Sequence, residues 1–408
     1  MCDEEQSFSE VETDQTESQL SLLDLPVEIF FHICSFLDAS TLVHGLSLVC
    51  KQFHEILNDN SLWKVRINQI WPNTNYPVLP PAEDDELFWK LSCVALEKQA
   101  SLWRKENSME KLSLTMVQYS TIDGLLLMQD GSICISGARD RSLACWKLPT
   151  KEEWEITTCI ESAHDGWIWD LTSIDKMVYS CSWDKTVKAW TLTNTGLVHF
   201  KTYEMIVTGA LLCVASCPDL TLFATGSFCK SVLVFDPRLA YNPVVKYRPH
   251  KRAVIRLAMN SNFILSASED GTVAIWDQRA GRMMKNVTIS QESFPMSMCM
   301  QRDMVYIGDG NAKLHVLDPK KDFQPVKCYT TEHKKGINGV HLTRGCLITS
   351  SMDKTVRINS PTDPPQHITT LESSYGEIAS TDYLNDVLAI SGADGIEIWR
   401  PKARIQCA

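Results

Sequence analysis

Three histidine–aspartate pairs stand out in this 408-residue chain: His164 and Asp184, His250 and Asp270, His333 and Asp353. A histidine beside a carboxylate can serve as a general base, activate a nucleophile or help to hold a metal. The 15 cysteines add candidate thiol nucleophiles and ligands. The spacing argues against such chemistry. Each pair is separated by 20 residues, and a short segment of strand-like alternation ends six residues after each aspartate, at Trp190, Trp276 and Asn359. A residue pair that recurs at one interval serves the fold before it serves a reaction. The cysteines are scattered, with no CxxC pair; Cys213 and Cys217 are the nearest two. An odd, dispersed set reads as reduced core thiols of the cytosol or nucleus. The chain shows no glycine-rich phosphate loop, no HExxH and no GxSxG. No catalytic residue, metal site or cofactor is expected, and the chain reads as a non-enzyme.

The element that positions the histidines is legible in SCSWDKTVKAW, Ser180 to Trp190. A strand of small and β-branched residues enters a tight turn at Asp184–Lys185, and a second strand alternates apolar and polar positions. Copies of this unit end at Trp146, Trp190, Phe235, Trp276, Leu317, Asn359 and Trp399, at intervals of 44, 45, 41, 41, 42 and 40 residues. These segments resemble WD-repeat blades, whose period is about 40–45 residues. The resemblance covers residues 111–400 and implies an all-β seven-bladed WD-repeat β-propeller. It implies a buried lock in each blade: the loop histidine bonded to a strand Ser or Thr and to the turn aspartate, and the tryptophan indole bonded to the same hydroxyl. Blade two would build it from His164, Ser182, Asp184 and Trp190, and blade four from His250, Ser268, Asp270 and Trp276. Blade six offers His333, Ser351 and Asp353, with Asn359 for the tryptophan. Cys229 and Asn311 stand where an aspartate is expected, so blades three and five should be the softer ones. The early strand Lys111–Gln118 is expected to close the ring as the outer strand of blade seven, removing two exposed sheet edges.

Upstream of the repeats the pattern is helical. From Leu22, Pro26 can open a helix carrying Ile29, Ile33 and Leu37 at helical spacing. Leu42, Leu46 and Val49 mark a second short helix, and Cys50, Phe53 and Leu57 a third. The entry Leu25-Pro26-Val27-Glu28, the Ile33–Leu37 pair, the Leu42–Val49 run, Phe53 and the closing Leu62–Trp63 resemble an F-box. That resemblance implies docking into the Skp-type helical adaptor of a cullin–RING ubiquitin ligase. Its contact candidates are Leu25, Pro26, Ile29, Ile33, Leu37, Leu42 and Val49, while Phe53 and Trp63 fill the small domain's own core. Three short helices bury little surface alone, so a partner is expected to complete them. After a loop-like stretch, Trp89, Leu96 and Trp103 recur at seven on one face of a helix that reads as a stiff spacer.

The division expected is an acidic disordered tail at 1–20, a small all-α F-box at 21–65, a loop and helical linker at 66–110, and the propeller at 111–408. The net charge is −11. Residues 1–110 hold 19 acidic and 7 basic residues, leaving 31 and 32 for the remainder, so no nucleic-acid surface is expected. No apolar run is long enough to span a membrane. A cytoplasmic or nuclear location is expected.

Residues next to the histidine loops and aspartate turns should face outward on one rim. Among them, Arg139, Trp167, Trp169, Trp183 and Arg252 are the substrate-contact candidates, since arginine and aromatic side chains anchor partner segments. A basic rim would suit an acidic or phosphorylated segment through Arg–phosphate pairing. An F-box followed by seven WD-like repeats is similar to the F-box/WD-repeat family of ubiquitin-ligase substrate receptors. The implied role is to fix a substrate on the adaptor, with cullin and RING subunits recruited through it. The alternative is a scaffold that binds partners without delivering them for degradation.

Overall fold

The structure, a computed structural model, describes residues 22, 25–72, 85–105, 108–115, 117–148, 155–204, 209–239, 242–301, 304–393 and 395–402. The expected acidic tail at 1–20 lies outside these residues. Strand Met109–Thr115 and the residues from Ile122 onward form seven four-stranded antiparallel sheets, and the innermost strand of each touches the innermost strand of the next around a ring. Blade two shows the pattern: Ile168–Ile174 innermost, then Met177–Ser182, Thr186–Thr193 and the outer strand Gly196–Glu204. The second strand of each blade is buried at nearly every position because neighbouring blades cover both its faces. This is why those strands read as continuous apolar and small-residue runs. The chain folds as a seven-bladed WD40 propeller preceded by helices.

Ring closure occurs between strand Met109–Thr115 and the last strand, Gly395–Pro401, paired from Met109↔Pro401 to Thr115↔Gly395. The closing strand is shorter than Lys111–Gln118 at its far end, because Gln118 is already committed to blade one. In six blades the inner strand carries a register shift at its entry, between Ile122 and Gly124, Ile168 and Asp170, and their counterparts. Such a bulge re-aims the extra residue. In blades one and two that residue is Asp123 and Trp169.

The helical region has more parts than the sequence signals. Helices α1 (Val27–Ser35), α2 (Ala39–His44) and α3 (Lys51–Leu57) are joined by α4 (Asn60–Ile70) and α5 (Phe88–Arg104). Asp59 caps α4 by accepting from Ser61 N–H at 2.8 Å, and Trp63 and Ile67 bury one α4 face. Residues 66–71, expected in a loop-bearing linker, are thus helix and core. The helix α5 completes that core: Phe88, Cys93 and Leu96 pack with Phe30, Leu42, Phe53 and Trp63. Arg66 donates to the Cys34 and Leu37 carbonyls at 3.0 and 2.6 Å and pairs with Glu97 at 2.6 Å, while Glu97 also accepts from Ala39 N–H at 2.7 Å. The missing partner surface of the three short helices is therefore supplied within the chain.

The far end of α5 belongs to another core. Trp103 packs with Cys346, Ile348, Ile368 and Leu388 of blades six and seven, and its indole donates to Gln99 at 2.9 Å. Gln99 and Lys98 both reach Asp386 in the inner hairpin of blade seven. In blade six, Gly345 lies so close to α5 that a Cβ there would sit 2.3 Å from the Ala95 carbonyl oxygen. One stripe, Leu96 to Trp103, thus serves two cores. The hairpins it touches join first to second strands, whereas the aspartate turns join second to third strands. Antiparallel connections alternate ends, so α5 and the aspartate turns lie on opposite faces of the ring.

Candidate functional site

The histidine–aspartate pairs are structural. In blade two, His164 is fully buried, with Nδ1 2.9 Å from Asp184 Oδ2 and Nε2 2.7 Å from Ser180 Oγ. Trp190 donates to the same hydroxyl at 2.9 Å. The hydroxyl in the lock is therefore Ser180, not Ser182. Ser182 lies two residues on along the same strand face and accepts from Asp184 N–H at 3.1 Å, shaping the turn. Blade four repeats the shift: His250 Nε2 approaches Ser266 Oγ at 2.9 Å, whereas Ser268 accepts from Asp270 N–H at 3.2 Å. His250 sits 3.4 Å from Asp270, and Trp276, half-buried, stacks on Tyr247 with centroids 4.3 Å apart. In blade six, His333 bonds Thr349 Oγ1 at 2.9 Å and Asp353 at 3.2 Å, and Ser351 shapes the turn.

Two blades rebuild the lock from other residues. In blade one, Gln118 takes the histidine's place: it accepts from Ser136 Oγ at 2.6 Å, and Trp146 donates to that hydroxyl at 2.9 Å. Tyr119 N–H donates to Asp140 at 2.7 Å, as Asp165 N–H does to Asp184 at 3.0 Å. In blade five, Asp309 bonds His315 at 3.0 Å and accepts from the Asn311 and Lys313 N–H groups, so the turn is held without an aspartate at 311. In blade three Ser227 accepts from Ser231 N–H at 3.1 Å to shape the turn, and among the described residues Thr225 Oγ1 is buried without a partner.

Burial lowers the pKa of His164, and the Asp184 carboxylate only partly offsets it. Burial pushes Asp184 up, but its bonds from His164 and Thr186 outweigh this and hold it well below the usual carboxylate range. Asp353 is likewise brought down to about 2. In the ring's interior, burial pushes Asp170 up to about 6, yet both its oxygens are spent on the Leu171 and Val214 N–H groups at 3.0 Å. Asp382 reaches Leu127 N–H of blade one in the same way, at 2.6 Å. These carboxylates staple neighbouring blades. Among the described residues, no group of three or more His, Cys, Asp or Glu is placed to hold a metal ion.

On the rim of the aspartate turns, the structure brings four of the five candidate contact residues together. Trp167, Trp169 and Trp183 form a triangle with ring centroids 6.1–6.3 Å apart, and Phe228 extends it to blade three, 6.0 Å from Trp183. Trp183 N–H donates to the Trp167 carbonyl at 2.9 Å. Trp167 and Trp183 are each 45% exposed and Phe228 54%. The guanidinium of Arg139 stacks over Trp167 and Trp169 at 5.5 and 5.1 Å. Its Nε and Nη2 are taken by Asp123 at 2.7 and 3.0 Å. Arg139 is thus a strut rather than a free cation. Arg252 stands apart, 3.4 Å from Glu269.

The helical region carries the second candidate surface. Pro26, Ile29 and Val49 are exposed, Leu25 and Ile33 half-buried, and Phe36 and Leu48 present 77% and 74% of their surface beside them. Leu42 is not on this surface: it is 1% exposed, in the core that includes α5. Leu37 is half-buried against that core. Helical spacing alone could not separate the two faces of so short a helix. A depression lined by Ser47, Leu48, Cys50, Lys51, His54 and Glu55 adjoins Val49.

Comparison with known proteins follows the same division. Residues 22–68 match the F-box-like family model, and residues 156–191, 241–277 and 324–359 match the WD domain, G-beta repeat model. The chain is 33% identical over 396 residues to F-box/WD repeat-containing protein 9 of Homo sapiens, covering 95% of this chain and 84% of that one. The corresponding Bos taurus protein is 33% identical over 391 residues, covering 94% and 83%. F-box/WD repeat-containing protein mec-15 of Caenorhabditis elegans is 28% identical over 324 residues, covering 76% and 77%.

Proposed function

Because the chain belongs to the F-box/WD-repeat family, we propose that it is the substrate-receiving subunit of a Skp–cullin–F-box ubiquitin ligase. One observation carries the reading. An exposed apolar surface on the F-box and an exposed aromatic surface on the propeller belong to two units joined by one helix packed into both cores. The adaptor takes the first surface through Leu25, Pro26, Ile29, Ile33 and Val49, joined by Phe36 and Leu48. The substrate takes the second, at Trp167, Trp169 and Trp183, with Arg139 as its strut. This chain supplies no reacting atom. It raises the effective concentration of a substrate lysine near a conjugating enzyme recruited through the adaptor, cullin and RING subunits. A helix locked at both ends suits that role, because proximity is worth most when the linkage is stiff. The place of work is the cytoplasm or nucleus, where the 13 described unbridged cysteines stay reduced.

The test is co-purification with a Skp-type adaptor, wild type beside a Leu25→Ala/Pro26→Ala double variant. A stoichiometric complex with the wild type, lost in a variant whose propeller melts normally, supports the reading. A folded wild-type chain that captures no adaptor sinks it.

A further inference from the structure

The family reading leaves open what kind of segment the propeller takes, and the aromatic rim bears on that. The strip runs from blade two to blade three as Trp167, Trp169 and Trp183 in mutual contact and Phe228 against Trp183, with Trp167, Trp183 and Phe228 45–54% exposed. Contiguous exposed aromatic rings with an arginine stacked on them mark a contact site. Its polar surroundings are specific. The arginine inside the strip has its Nε/Nη2 edge taken by Asp123 and its flat face on two indoles, so Asp123 already meets its charge and a phosphate would have to compete for it. The cations that flank Trp183 and Phe228 sit at the turn tips. Lys185 and Lys230 follow Trp183 and Phe228 by two residues, each at positive φ (70° and 69°), exposed and in no ion pair among the described residues. Asp165 is the exposed carboxylate nearest in sequence to the strip.

Resting on the substrate-receptor reading, we propose that this strip binds an unphosphorylated acidic segment through one aromatic or large aliphatic side chain. The anchor lies on the Trp167–Trp183–Phe228 surface, and carboxylates beside it face Lys185 and Lys230. The apolar anchor supplies the affinity, and the lysines, compact solvated charges, set its direction and its salt dependence.

The experiment pans a random twelve-residue peptide display library on the full chain immobilised through a covalent tag, with adaptor capture by the same preparation measured separately. An enriched peptide is then synthesised with and without a phosphoserine replacing one carboxylate, and its Kd is read by fluorescence anisotropy. The expected consensus pairs Trp, Phe or Leu with Asp or Glu. Binding should weaken at least tenfold in Trp183→Ala, recover in Trp183→Phe, and weaken three- to tenfold in Lys185→Glu/Lys230→Glu, whose melting is unchanged. Phosphoserine should change Kd by less than threefold. No enrichment, a consensus without the apolar–acidic pairing, unchanged binding to Trp183→Ala or a tenfold gain from phosphoserine would each overturn the proposal. Loss of adaptor capture with peptide binding intact would instead count against the receptor reading alone.

Discussion

Trp190 reaches Asp184 through two intermediaries: its indole donates to Ser180, Ser180 lies 2.7 Å from His164 Nε2, and His164 Nδ1 lies 2.9 Å from the carboxylate. A neutral imidazole with its proton on Nδ1 satisfies every member, since Ser180 can then donate to Nε2. A protonated ring turns Nε2 into a donor, and the Ser180 hydroxyl proton is left with the Lys188 carbonyl at 3.4 Å.

Stability should therefore fall on mild acidification. Burial lowers the pKa of His164, His250 and His333, so the unfolded chain takes up protons near pH 6.5 that the folded chain refuses. Folding loses stability as pH drops below about 6.5. The depressed carboxylates act in the same direction further down, as pH falls from about 4 toward the value near 2 of Asp353. The urea midpoint should be lower at pH 5.5 than at pH 7.5. His164→Gln should shrink that difference while retaining the fold, because Gln118 plays the same part in blade one without titrating. An equal drop in the variant would contradict this account.

The two serines of blade two should separate by energy. Ser180→Ala strands the Trp190 indole and one His164 nitrogen, at a cost of about 1–3 kcal/mol. Ser182→Ala removes one turn bond, at about 0.5–1.5 kcal/mol. Denaturant unfolding of both, with a double-mutant cycle pairing Ser180→Ala with Trp190→Phe, should show coupling only within the chain of bonds.

Leu42 and Val49 should likewise part company. Leu42→Ala empties a fully buried site and should cost about 2–5 kcal/mol. Val49→Ala, at 70% exposure, should leave stability within about 0.5 kcal/mol and weaken adaptor binding instead. Thermal melts beside adaptor titrations decide it; a Val49→Ala protein that melts early and binds normally would reverse the assignment.

At the junction, Arg66→Ala should destabilise the helical region by about 3 kcal/mol, because it leaves the Glu97 charge without its cation and takes a donor from two carbonyls in a largely buried site. Gly345→Ala should push α5 off blade six and leave the F-box core intact. Hydrogen exchange localised to Ala95–Trp103 in the second variant, and spread through α1–α4 in the first, is the expected pattern.

The 20-residue interval exposed the three histidine locks because the loop and strand lengths around them do not vary. Where they do vary, the signal failed: Gln118 precedes Asp140 by 22 residues and hid inside what read as the closing strand. Ser180 and Ser182 share a strand face, so alternation could not choose between them. Asp309–His315 went unseen because the polar pair had moved within its hairpin, away from position 311. The Trp183–Phe228 contact and the two-core role of α5 depend on which blades become neighbours, and no local pattern records that. Arg139 reads as a free cation because Asp123 lies across a bulge in another strand of its own blade.

Ring closure by Met109–Thr115 and Gly395–Pro401 also sets a timetable. During synthesis the first of these strands leaves the ribosome early and waits without a mate until nearly the whole repeat region has followed. The docking site for Trp103 on blades six and seven is absent over the same interval. A chain interrupted shortly before residue 395 would therefore lose more than its last blade. It would carry two open sheet edges and an undocked tryptophan, and a premature stop there should behave as a null allele cleared by quality control, not as a receptor of reduced affinity.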